Sequence, residues 1–180
     1  MRDLAQKWTP MPDWHEAVIE VPGLTVRTRI GLNQYLVSGD LDAWSSVSGL
    51  PAHGAGAFGK AEGERYSVQA ARDRLLVVST PQLDMENGWH EQGFGVTAIS
   101  AGLHVFEAEG PAVADLIARA TPLDPRAASA SAAMSFGGVS AVVYHHEAAL
   151  RIHVDRSLAT YLWTWMETAA AAIEATGKDR

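Results

Sequence analysis

GVTAISAGLHVFEAEGPAVADLIA, residues 95–118, carries two strand patterns and one helix pattern in an unbroken run. Residues 96–100 and 104–108 are rich in β-formers, with Val105 and Phe106 in the second stretch. Gly110 and Pro111 then open a helix, with Pro111 in the first turn, where a missing N–H costs nothing. Val113, Leu116, Ile117 and Ala120 recur at helical spacing and form one apolar face. Thr121-Pro122 stops the helix.

The same order stands earlier in the chain. Residues 33–38, with Tyr35, Leu36 and Val37, read as a strand ending at Gly39-Asp40. Asp40 caps a helix over residues 41–48, and Gly49 closes it. Residues 66–70 and 75–79 form a hairpin around Arg72-Asp73, and residues 139–144 and 150–154 form one around His146-Glu147. Each half thus reads strand, helix, strand, strand, a repeat of pattern rather than of identity. The expectation is an α+β fold of two pseudo-repeated split β-α-β (ferredoxin-like) halves, with antiparallel sheets and helices on one side.

Residues 1–16 make an N-terminal arm, 17–93 the first half and 94–180 the second, the whole forming one compact unit. Residues 18–21 and 25–30 add strand patterns to the first half, and 83–87 suggest a short helix ended by Gly88. Asp155 or Ser157 caps a last helix to about residue 175, with Leu158, Leu162, Trp165 and Ala169 along one stripe and Gly177 as its stop.

Composition narrows the chemistry. The chain has 180 residues and a net charge of -7, which opposes binding to phosphate backbones and anionic membranes. It has no cysteine, so disulfides, thiolate nucleophiles and thiolate metal sites are excluded. The N-terminus carries Arg2, Asp3, Lys7 and Asp13 without a continuous apolar stretch, and so does not read as a signal peptide. Glu167 and Glu174 break the most apolar late segment, and a cytoplasmic location is expected.

Three patterns invite a functional reading. Gly54, Gly56 and Gly59 fit G-x-G-x-x-G, and the run to Lys60 fits most of a phosphate loop. No strand runs directly into it, Ala61 stands where a magnesium-binding hydroxyl belongs, and Gly63 opposes a following helix, so a flexible loop is expected. His145, His146 and His153 suggest a metal cluster, but neighbours on a strand point to opposite faces, so surface or half-buried histidines are expected. Trp8 and Trp14 on the arm, and Trp163 and Trp165 on the last helix, are candidate partner contacts, since such rings are costly to leave in water. Trp163 and Trp165 stand two apart, so one belongs to the core and the other is partly exposed. No G-x-S-x-G elbow occurs and no carboxylate pair stands out, so no catalytic, cofactor-binding or metal-binding residue is assigned.

The run at 95–118 resembles the central motif of the γ subunit of heterotetrameric sarcosine oxidase. PLDPR at 122–126, HVDRSLATYLWTWME at 153–167 and RDRLLVV at 72–78 are similar to it as well, so the likeness spans about residues 24–172. That family shares its fold with the folate-binding aminomethyltransferases of glycine cleavage. Those enzymes carry an Asp in this motif, followed by Ser-His; here Ala98 and Ala101 replace the Asp and His, while Ser100 remains. An alanine cannot act as a base. The resemblance implies a chain with no cofactor of its own, packed against the large α subunit of a complex that also contains β and δ subunits. The complex would hold FAD, FMN, NAD, zinc and tetrahydrofolate on its other chains and oxidatively demethylate sarcosine or a related N-methyl amine. The alternative is a free-standing folate-binding or folate-dependent protein of the same fold.

Overall fold

The computed structural model describes residues 10–127 and 129–178, and every structural statement below concerns these. Strands β1 (Val18–Val21) and β2 (Leu24–Thr28) form a hairpin, followed by β3 (Asn33–Gly39) and helix α1 (Leu41–Ser48). The short β4 (Lys60–Ala61) precedes the hairpin of β5 (Arg65–Ala71) and β6 (Arg74–Ser79). A third hairpin, β7 (Gly88–Trp89) with β8 (Phe94–Ala98), leads to β9 (Leu103–Glu109) and α2 (Val113–Ala120). Then come β10 (Ala133–Phe136), β11 (Val139–His146), β12 (Ala149–Asp155), a 3-10 turn at Arg156–Leu158 and α3 (Ala159–Lys178).

The fold is α+β with antiparallel sheets, and the two units repeat each other in space. One sheet runs β1-β2-β9-β12-β11-β10, with β4 parallel against β11; the other runs β5-β6-β3-β8-β7. The hairpin β1–β2 therefore leaves its own half to pair with β9, and β7–β8 pairs with β3. Sequence pattern divides at residue 93, but the backbone hydrogen bonds cross that division in both directions.

One local device makes the exchange. At the end of β3, Gly39 has φ +103, and a Cβ there would stand 2.5 Å from the Gly93 carbonyl oxygen. That carbonyl, in the β7–β8 turn, accepts the Asp40 N–H at 3.0 Å. At the end of β9, Gly110 has φ +108, and its Cβ would stand 2.3 Å from the Gly23 oxygen in the β1–β2 turn. That oxygen accepts the Ala112 N–H at 2.9 Å. Both helix starts are thus tied to the turn of the hairpin that pairs beside the preceding strand, and only glycine permits the approach.

Strand alternation sorts the side chains into three apolar layers. Tyr35, Val37, Leu75, Val77, Phe94 and Val96 pack with Trp44 of α1 on the outer face of the second sheet. Leu76 and Val78, one residue out of phase, face inward with Tyr66, Val68, Val105 and Tyr144 between the sheets. The outer face of the first sheet, including Phe106, Leu150, Ile152 and Val154, is covered by α2 and α3.

Several expected details differ. Residues 83–87 form no helix: the Leu83 N–H donates to the Tyr35 hydroxyl at 3.2 Å, and Asn87 Oδ1 accepts the Ala98 N–H at 2.7 Å, pinning the two ends of the segment to β3 and β8. Helix α2 begins at Val113, after Pro111 rather than around it. The buried face of α3 is Ala159, Leu162, Trp163, Met166, Ala169, Ala170 and Ile173, so Leu162 and Ala169 of the expected stripe lie on it, while Leu158 is exposed and Trp165 half-buried at its edge. The helix also continues through Gly177 to Lys178. Asp155 Oδ1 accepts the Ser157 N–H, so Asp155 is the cap, acting on the 3-10 turn. Among the described residues no helix is long and apolar enough to cross a membrane.

Gly110→Ala combines a positive φ with a backbone clash, whereas Gly63→Ala at φ +82 meets nothing within 4 Å. Urea unfolding is expected to show Gly110→Ala losing about 1–3 kcal/mol more than Gly63→Ala. Equal losses would refute the role given to the hairpin turn.

Candidate functional site

A line of polar side chains crosses the space between the sheets. Gln34 on β3 and Tyr66 on β5 come from one sheet; Glu107 on β9, Tyr144 on β11, and Arg151 and His153 on β12 come from the other. Arg151 and His153 stand two apart and so share a face, while Leu150, Ile152 and Val154 point to the helices. Gln34, Tyr66, Tyr144, Arg151 and His153 are all buried.

The contacts form one chain. His153 Nδ1 is 2.6 Å from Gln34 Oε1, and His153 Nε2 is 2.7 Å from the Tyr144 hydroxyl. The hydroxyls of Tyr144 and Tyr66 are 2.9 Å apart. Arg151 donates through a terminal nitrogen to Tyr66 and through Nε to Glu107 Oε1 at 2.7 Å. One proton arrangement gives every hydrogen along the line an acceptor: Arg151 to Tyr66, Tyr66 to Tyr144, Tyr144 to His153 Nε2, and His153 Nδ1 to Gln34 Oε1. The reverse order would leave the Tyr66 proton without an acceptor in the line, at a cost of about 1–3 kcal/mol.

Electrostatics holds these groups in fixed charge states. Burial, reinforced by the Arg151 charge, lowers the pKa of His153 to about 3. Burial also raises both tyrosines above their ordinary value, Tyr144 the further. Arg151 stays protonated, favoured by Tyr66 and Glu107 against its own desolvation. These shifts carry His153, Tyr66, Tyr144 and Arg151 away from neutral pH, and the line ties the two sheets together.

The line ends at two openings. Gln34 lines a cavity of about 460 Å³ shared with Trp14, Arg29, Ser100, His104 and Arg156. Arg151 and Glu107 line a cleft of about 500 Å³ with Arg29, Glu64, Thr80 and His146. Ser100 Oγ accepts the Gln34 backbone N–H at 2.9 Å, and His104 Nε2 lies 3.1 Å from Thr28 Oγ1. Burial, then the Arg156 charge, lowers His104 to a pKa of about 4. Ala98 and Ala101 are exposed and carry no polar side-chain atom.

The glycine-rich segment is a bridge, not a flexible loop. Ala55 pairs with Val68 in one sheet while Lys60 and Ala61 pair with β11 in the other. The N–H groups of Ala55, Ala57, Phe58 and Gly59 donate to the carbonyls of Ser67, Ser131, Val143 and Gly56, and that of Gly54 donates to Gln69 Oε1. Those five donors are engaged and unavailable to a phosphate. The glycines serve close packing, since a Cβ on Gly56 would fall 1.8 Å from the Ser129 carbonyl oxygen.

The histidines separate. His153 is fully enclosed in the polar line rather than half-buried, and His146 Nε2 lies 3.0 Å from the Gly63 oxygen. Among the described residues no group of three or more His, Cys, Asp or Glu could hold a metal ion. Of the four tryptophans expected at partner contacts, Trp8 lies outside the described residues. Trp163 is in the core, with its N–H donating to Glu167. Trp14 packs 4.5 Å from His104 and edge-on to Trp163 at 5.9 Å, while Trp165 is half-buried beside Phe136. Sequence reasoning missed Gln34, Tyr66, Tyr144 and Arg151; the available signal was Arg and His alternating with apolar residues in LRIHV at 150–154.

His153 is neutral when folded, with a pKa of about 3, and takes up a proton when unfolded near its ordinary value of 6.5. Its contribution is therefore complete above about pH 6.5 and is lost as pH falls toward 3. The urea midpoint is expected to fall between pH 6.5 and 4, and to fall less steeply in His153→Gln, whose amide can still bridge Tyr144 and Gln34. An unchanged slope would contradict this assignment.

No protein-family model matches the chain, and no curated protein matches it. Among solved structures, the chain is similar to one chain of the heterotetrameric sarcosine oxidase from Corynebacterium sp. U-96 in complex with pyrrole 2-carboxylate. The two superpose with a TM-score of 0.67 at 17% identity, over 84% of this chain and 85% of that one. The likeness is therefore one of fold, carried across most of both chains.

Proposed function

We propose that this chain is the non-catalytic γ subunit of a heterotetrameric sarcosine-oxidase-like complex that oxidatively demethylates sarcosine or a related N-methyl amine. In this reading it packs against the large α subunit, works in the cytoplasm with β and δ subunits, and leaves FAD, FMN, NAD, zinc and tetrahydrofolate to the other chains. The observation that carries it is the end-to-end likeness in fold to a chain of a heterotetrameric oxidase. The polar line supports it, because its groups hold their charge states near neutral pH and satisfy one another rather than a reacting molecule.

A second reading, a folate-binding protein acting alone, is favoured by the cavity that gathers Ser100, Gln34 and Trp14. Tetrahydrofolate titration of the isolated chain, followed by tryptophan fluorescence, separates the two: saturable micromolar quenching supports the second reading, and a flat titration the first.

Co-expression with the flavoprotein chains of such an oxidase is expected to yield one assembly containing this chain in fixed stoichiometry by size-exclusion chromatography. Recovery of this chain only as a monomer, beside an oxidase fully assembled without it, would overturn the proposal.

A further inference from the structure

The cavity at Gln34 is unusual for this protein in its charge. The chain has 21 acidic against 14 basic residues, yet among the described residues the charged side chains lining this cavity are Arg29 and Arg156, with no carboxylate. Acids nearby in sequence are engaged in local turns: Asp13 accepts the His15 N–H, and Asp155 accepts from Ser157. Arg29 has Glu107 only at 3.9 Å, because that carboxylate makes its close contact, at 2.7 Å, with Arg151. Arg156 makes no ion pair among the described residues. Its charge is felt inside the cavity, where it helps keep His104 neutral.

The rim is apolar and continues onto the neighbouring surface. Met11 is 73% exposed and Ile30 50% exposed at the cavity mouth. Thr160 lines both this cavity and an adjoining depression formed with Tyr161, Thr164 and Trp165, where Tyr161 is 52% exposed. A surface of this kind joins one loosely paired guanidinium, Arg29, and one without an ion pair among the described residues, Arg156, to apolar anchors, the arrangement that suits an acidic residue flanked by a hydrophobic one.

We propose that the cavity bounded by Arg29, Arg156, Met11 and Ile30 is the socket for a segment of the partner protein chain that presents a carboxylate beside a large apolar side chain. The proposal rests on the reading of this chain as a subunit, and names the part of it that makes the contact. The carboxylate lies between the guanidinium groups, which suit bidentate pairing, and the apolar side chain fills the cavity against Trp14 and Leu103. Assembly of this kind is favoured by opposite charge on the partner and weakened by salt.

The test uses the co-expressed assembly. Arg29→Glu/Arg156→Glu is expected to weaken association at least tenfold, read by analytical ultracentrifugation or by loss from the co-purified complex. Arg29→Lys/Arg156→Lys is expected to recover part of it, and Arg119→Glu on the exposed side of α2 to behave as wild type. The isolated Arg156→Glu variant should keep the wild-type urea midpoint, since Arg156 reaches solvent and makes no ion pair among the described residues. Wild-type affinity in the charge-reversed variant would overturn the socket while leaving the subunit reading intact; failure of the wild-type chain to assemble would remove both. Benzoate at the cavity, followed by tryptophan fluorescence, gives a further arm. Undiminished binding in the full assembly would mean that the cavity stays open there, and would overturn the socket in favour of a small carboxylate ligand.

Discussion

The hydrogen-bonded line from Arg151 through Tyr66, Tyr144 and His153 to Gln34 is the constraint to which the two sheets are fitted. Buried polar groups are tolerated only when satisfied, and each member here satisfies the next. Because three of its links, Arg151–Tyr66, Tyr66–Tyr144 and His153–Gln34, run from one sheet to the other, sliding one sheet past the other would break several bonds at once. The line thus fixes the relative register of two layers that apolar contacts alone would leave free to adjust.

Around it, the exchange of hairpins joins the halves in a second way. Each helix of the repeat starts against the turn of a hairpin paired beside its preceding strand, through the Gly93 and Gly23 carbonyls. The glycine-rich bridge adds a third tie, pairing with one sheet at Ala55 and with the other at Lys60 and Ala61. A chain built this way behaves as one body. That suits a subunit whose contribution is a rigid surface, and it accounts for polar residues that look chemical by type but are held in one charge state by burial.

Much of this was legible in the sequence where local rules decide. Asp40, Gly49 and the strand patterns placed α1 and most strands, and the repeat of pattern indicated the fold class. The partner of each hairpin was not legible, because pairing across halves depends on tertiary contacts and the same alternation fits either sheet. The segment at 83–87 failed for a related reason: its donors and acceptors are taken by Tyr35 and Ala98, distant in sequence. The glycine run was ambiguous because close packing and phosphate binding both select glycine, and only the neighbouring carbonyls distinguish them. His153 was visible as a histidine, but its enclosure depended on Gln34, Tyr66 and Tyr144, which come from separate strands. Ala98, where the resemblance leads one to expect an acid, lies on an exposed strand end.

The central claim is that this chain supplies rigidity and surface, not a reacting group. The most direct measurement is amine turnover per assembled complex with the wild-type, Tyr144→Phe and His153→Gln chains, at matched stoichiometry. The account predicts turnover rates within about twofold of one another once assembly is complete. A fall of about a hundredfold or more with the assembly intact, the size expected when a proton-transferring group is removed, would contradict it.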